Sequence, residues 1–136
     1  MSRLIERIEW ISIEDITENG WGSVDSKEID IDFQRYIMLN EREWKQLLDL
    51  KREDKKYPKL LASVKANGLL VPGNYIIHEG MYFHGNGHHR LAAAIDLGFK
   101  RLPYIQVPGP RQLAWHWSKK MFEKANLMEY AHGFPQ

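Results

Sequence analysis

The chain has 136 residues, 43% hydrophobic and 27% charged, the balance of one globular domain with a core of useful size. Nineteen Lys and Arg face eighteen Asp and Glu, so a formal charge of +1 gives no support to a nucleic-acid binder that works by bulk charge alone. The absence of Cys excludes disulfide scaffolds, thiolate metal sites and thiol catalysis.

No apolar run approaches the ~18 residues of a spanning helix. The start, Met1 to Arg7, carries charges where a signal peptide would be apolar. The expected setting is therefore the cytoplasm, without a membrane partner.

Arg7 to Ile13 reads RIEWISI, rich in β-branched and aromatic residues, and predicts a first strand. Glu14 to Asn40 is polar and acidic. With Gly20 and Gly22 as breakers, it predicts loop plus one or two short strands, around Ile29–Phe33 and Tyr36–Leu39. Asn40-Glu41-Arg42-Glu43 is a capping box opening a helix whose Trp44, Leu47 and Leu48 share one face. The charged run Lys51 to Lys56 should end that helix in solvent.

Pro58 suits the first position of a second helix, with Leu60, Leu61 and Val64 inward and Asn67-Gly68 as its stop. Tyr75–Ile77 and Met81–Phe83 flank His78-Glu79-Gly80 and predict a hairpin, with His78 exposed in its turn. Arg90 to Leu97 is a run of strong helix formers closed by Gly98. Leu102 to Val107 predicts a strand, and Pro108-Gly109-Pro110 a turn. Residues 111–130 predict a last helix, with Leu113, Trp117 and Met121 on its core face. Trp115 and Phe122 lie off that face, with three uses open to them: covering a second side of the sheet, a dimer interface, or stacking on a base.

The segment that carries chemistry is His84-Gly85-Asn86-Gly87-His88-His89-Arg90, between a strand and a helix. Gly85 and Gly87 let the backbone turn sharply and approach a ligand. The free N–H groups of the helix start favour negative charge. Arg90 adds a forked donor suited to phosphate, and His88 and His89 add further donors. Local chemistry leaves three readings open: an anion cradle made of Gly85, Asn86, Gly87, His88, His89 and Arg90, a purely structural turn, or a metal site using His84, His88 and His89.

The order of motifs resembles the ParB/sulfiredoxin superfamily over residues 57–107: a helix ending Asn67-Gly68-Leu69 with Pro72 after it, a hairpin, the GNGHHR loop, an Ala-rich helix ending Leu97-Gly98, and the strand LPYIQV. The resemblance implies an α/β (α+β) fold in a single domain over 1–136, a mixed sheet flanked by three or four helices, with Ile8–Ile16 as the first strand and the loop at one end of the sheet. It implies that Gly87, His88, His89 and Arg90 hold phosphate, so that the partner is a nucleotide (ATP, ADP or CTP, with Mg²⁺ where phosphoryl transfer occurs) or the backbone of a nucleic acid such as DNA.

Departures narrow the branch. Sulfiredoxins carry a Cys in this loop, and partitioning ParB proteins carry a second Glu-Asn-x-x-Arg motif and a helix-turn-helix domain; neither is found here. A free-serine kinase loop of the form Asp-Gly-His-His-Arg is similar, but Asn86 stands where it has Asp. Size and layout look closest to ParB-like nuclease-domain proteins of phages and mobile elements. The expected activity, if bonds are broken, is kinase-like phosphotransfer or phosphodiester hydrolysis, with Glu18, Glu28 and His88 as candidate catalytic groups and Asp25 as a further carboxylate. The other function class is a non-enzymatic phage or mobile-element factor that uses the fold as a scaffold for a protein partner or a homodimer through the C-terminal helix.

Overall fold

The computed structural model describes residues 8–25, 35–68 and 72–109. The predicted helix over 111–130, with Trp115, Trp117 and Phe122, lies outside them, as do the Ile29–Phe33 run and Glu28. Ten elements follow in order: β1 (Ile8–Ser12), α1 (Ile13–Glu18), β2 (Gly22–Asp25), β3 (Arg35–Met38), α2 (Glu41–Arg52), α3 (Tyr57–Asn67), β4 (Gly73–His78), β5 (Met81–His84), α4 (His88–Asp96) and β6 (Arg101–Gln106). The strands form one mixed sheet in the order β1-β6-β4-β5-β2-β3. The α/β class expected from the sequence is thus the fold observed.

Two elements differ from expectation near the N-terminus. The first strand ends at Ser12 rather than running to Ile16. Ser12 is extended at the helix entry, Glu14 and Asp15 occupy the first turn where the helix dipole favours them, and Ile16 is fully buried. Gly22 is not a breaker but the first residue of β2. A Cβ there would come within 2.6 Å of the Phe83 ring, so the strand needs the missing side chain to sit against β5.

The capping box forms as read: Asn40 Oδ1 accepts from Glu43 N at 2.8 Å, and Glu43 Oε1 accepts from Asn40 N at 3.0 Å. Trp44 and Leu48 are its buried residues. The hairpin turns on Glu79 and Gly80, both with positive φ, as a two-residue hairpin turn requires. His78 is not idle in that turn. It closes β4, with its ring stacked on Tyr36 at 4.1 Å and 4°.

The larger core lies between the helices and one sheet face, with Trp21, Trp44, Tyr75, Leu91, Ala92, Ala93, Ala94, Leu102 and Tyr104 among its buried residues. The run of small alanines lets α4 sit close to its neighbours. Val24, Ile76, Phe83 and Val107 form a smaller cluster. Register sets the two apart: Gly22, Phe83 and Ile76 are partners across β2, β5 and β4, and Ser23, His84 and Tyr75 are partners one residue on, facing the opposite side. β2 runs parallel to β5, so both carboxyl ends lie at the same edge, where α4 begins.

Candidate functional site

The loop after β5 is tied down through Asn74, a side chain buried in β4 with 1% of its surface open. Asn74 Oδ1 accepts from Asn86 N at 2.7 Å, Asn74 N donates to Asn86 O at 3.1 Å, and Gly85 N donates to Asn74 O at 2.9 Å. Asn86 and Gly85 are thereby structural members of the loop.

Gly87 takes φ +115°, a region L side chains avoid, and opens α4 two residues before the expected start at Arg90. The N-cap residue of this helix, Gly87, has no side chain with which to cap it, and its first turn holds no acidic residue. Leu91 N does reach Gly87 O at 2.8 Å, so the helix is well formed from its first turn. The amide groups of the earlier residues are those that a helix start leaves without intrahelical partners.

Arg90 folds back over this start. A Cβ on Gly87 would lie 3.3 Å from Arg90 Nη2 and 3.5 Å from Nε, so the glycine provides the space in which the guanidinium sits. Gly73 makes room for other neighbours: a Cβ there would come within 2.8 Å of both the Tyr104 ring and Asn86 O. Among the described residues, Arg90 Nε is buried without a hydrogen-bond partner. Burial pulls the guanidinium below its usual pKa, with only Tyr104 opposing. Among the described residues, no carboxylate ion-pairs with it.

The histidines divide by partner. His88 Nε2 is 2.8 Å from Ser23 Oγ, with the Trp44 ring stacked over it at 6.0 Å and 26°. His84 is fully buried, with Nε2 2.6 Å from Tyr104 Oη, and its Nδ1 has no partner. The two rings lie 4.3 Å apart. His89 turns away to Asp54 Oδ2 at 3.1 Å.

Burial pushes the His84 pKa down to about 3, against a smaller opposing pull from the Gly85 backbone. Burial also holds His88 well below its ordinary value, aided by His84, Lys51, His89 and Arg90, all of them basic. The helix start is therefore electropositive through Arg90, Lys51 and the helix end, while burial favours the neutral form of both imidazoles.

The metal alternative finds little here. His84 and His88 approach each other but His89 does not join them, and among the described residues no group of three or more His, Asp or Glu could hold a metal ion. Mg²⁺ seeks oxygen ligands. The described groups around His88 and Arg90 are imidazole, hydroxyl, guanidinium and ammonium, and Asp54 is engaged by His89, so this set does not fit that ion.

Glu18 is not brought to the loop. It lines a cleft of about 950 Å³ at the other end of α4, with Asn40, Arg42, Lys45, Arg52 and Asp96. Ser23, Asn74 and Tyr104 are site residues that the sequence did not single out. For Asn74, a polar residue leading into the apolar run Tyr75-Ile76-Ile77 was a usable signal. For Ser23 and Tyr104 the pairing of strands was needed first. Compared with known proteins, the chain matches no family model, no curated protein and no solved structure.

Proposed function

We infer that this chain binds a phosphate-bearing ligand, a nucleotide or the phosphate backbone of a nucleic acid, at the start of α4. The observation that carries the reading is Arg90. Its Nε is buried without a partner among the described residues, beside a helix start whose N-cap is Gly87, and the charged groups that act on neighbouring His88 are basic. An unpaired buried charge is costly, and a bound anion removes that cost while satisfying the free amides. The position also suits a ligand, since clefts at the carboxyl ends of parallel strands, here β2 and β5, are where open α/β sheets bind theirs.

The order of helix, hairpin, GNGHHR loop, Ala-rich helix and strand supports placing the chain with ParB/sulfiredoxin-like proteins, whose loop of this type holds phosphates. Within that reading Gly87 gives access, the N–H groups of His88 and His89 meet phosphate oxygens, and Arg90 neutralises them.

Thermal unfolding and calorimetry with inorganic phosphate, ATP, ADP, CTP and a short DNA duplex test this. At a ligand concentration of 100 times Kd, the stabilisation expected is about 2.7 kcal/mol, and it should vanish in Arg90→Ala. A chain that responds to none of these ligands is not a phosphate binder.

A further inference from the structure

The contact between Ser23 and His88 is not needed for holding an anion. Ser23 lies near the carboxyl end of β2, beside the carboxyl end of β5 and in register with His84. Its Oγ is 2.8 Å from His88 Nε2, within reach for proton transfer. His88 is also the first residue of α4, so one residue presents both an amide at the helix start and an imidazole on the serine hydroxyl. Trp44, stacked on that imidazole and anchored by its own Nε1 donating to Trp21 O at 2.9 Å, fixes the ring plane.

A hydroxyl, a neutral base bonded to it, and donors placed for a developing negative charge are the three parts of nucleophilic group transfer. Ser23 is tucked in, with 6% of its surface open, and its hydroxyl meets His88.

We propose that Ser23 is a phosphoryl acceptor, taking the phosphoryl group of a bound phosphoanhydride or acyl phosphate to form a phosphoserine, with His88 as its base. The proposal rests on the phosphate-binding reading above and adds chemistry to it. In the step, Ser23 Oγ forms a bond to phosphorus as the bond from phosphorus to the leaving oxygen breaks. The Ser23 proton passes to His88 Nε2. The leaving group departs with the bond's electron pair, as acetate if the donor is acetyl phosphate, and His88 later releases its proton to water.

The role requires the imidazole tautomer with its hydrogen on Nδ1, leaving Nε2 to accept from the hydroxyl. An imidazole held neutral by burial has that lone pair available. The negative charge of an incoming phosphoryl group favours the imidazolium that forms, and Arg90 and the helix amides meet the equatorial oxygens.

The full chain is incubated with acetyl phosphate, and the product is read by intact mass and by fragmentation of the peptide that contains Ser23. The expected result is one added phosphoryl group, stable to acid, on Ser23. It should be absent in Ser23→Ala and slowed about 100-fold or more in His88→Asn. Inorganic phosphate is titrated in parallel by thermal shift.

Phosphate binding without phosphoserine at position 23 overturns the proposal and leaves the binding reading standing. An acid-labile label on His88 or His89 overturns it too, as does equal labelling of Ser23 in His88→Asn. If neither binding nor label is seen, both readings fall. Site mapping in the unsubstituted chain decides the matter whether or not the variants fold.

Discussion

The two ends of α4 carry opposite solutions to the same problem. At its carboxyl end, Asp96 sits where the helix dipole opposes a negative charge, yet the charge is fully matched. Arg52 Nε reaches both carboxylate oxygens at 3.1 Å, Arg52 Nη2 reaches Oδ1 at 3.0 Å, and the Tyr57 hydroxyl donates to Oδ2. Arg52 also meets Asp49 at 2.9 Å, so this arginine is not the plainly solvated member of a charged run that its sequence context suggests. Burial, with hydrogen bonding and charge at Asp96 added to it, pushes the Tyr57 hydroxyl up to about 12.

At the amino end, among the described residues, the guanidinium of Arg90 has no carboxylate and its Nε has no partner. One end ties α2, α3 and α4 together. The other is incomplete in a way that an anion completes. Charge pairing is therefore what separates scaffold from site in this fold.

The largest effect expected from that asymmetry is on pH dependence. His84 and His88 are both held neutral by burial at the amino end. The unfolded chain binds their protons near the ordinary value of 6.5, whereas folded His84 does so only near about 3. The unfolded state thus holds more protons in between, and stability falls as pH falls below about 6.5. His84 alone contributes about 1.4 kcal/mol per pH unit below 6.5, so moving from pH 7 to pH 5 should cost about 2 kcal/mol through it, and His88, shifted in the same direction, adds to that loss. Urea unfolding at the two pH values measures it, and His88→Gln should reduce the slope without abolishing it. Asp49 does not disturb this window, since Lys45 and Arg52 hold it below its ordinary value. A stability independent of pH across that range would show that the inner imidazoles are not sealed from water.

Next in size is Asn74→Ala. The substitution leaves the buried Asn86 N–H without its acceptor and should cost about 1–3 kcal/mol by chemical denaturation. Because Asn74 shapes the loop that leads into α4, phosphate-induced stabilisation should weaken with it. An Asn74→Ala chain that binds phosphate as before would mean that the helix start alone, without the loop, makes the site.

Much of this was legible from local pattern. The capping box at Asn40 and Glu43 is a contact three residues apart, and so is readable as a string. The hairpin around Gly80 and the glycine before His88 are likewise local. The segment GNGHHR marks its chemistry by type and spacing. What stayed hidden depends on pairing across the sheet. Ser23 meets His88 from 65 positions away, and His84 meets Tyr104 from 20. Neither pair exists until β2, β5, β4 and β6 are in register. Gly22 misled for the same reason: its meaning lies in the Phe83 ring on another strand. The helix α1 was hidden because six residues give too few turns for a periodicity to show.

The smallest expected effect is also the most pointed test of the contrast, a pair of matched substitutions by an apolar side chain of similar length. Arg52→Met removes the cation from Asp96, Asp49 and the Tyr57 hydroxyl, and leaves a carboxylate at the unfavourable end of the helix dipole. Both acids are partly open to solvent, which limits the loss to about 1 kcal/mol. Arg90→Met removes a half-buried charge that has no ionic partner among the described residues, and gives Gly87 and Tyr104 an apolar neighbour instead. Replacing an unmatched buried charge in this way is close to neutral or stabilising, so the ligand-free unfolding midpoint in urea should hold or rise. The responses to phosphate should be the reverse, kept in Arg52→Met and lost in Arg90→Met. If Arg90→Met instead destabilises the ligand-free chain by more than Arg52→Met does, Arg90 is held by partners within the protein, and the two ends of α4 are alike after all.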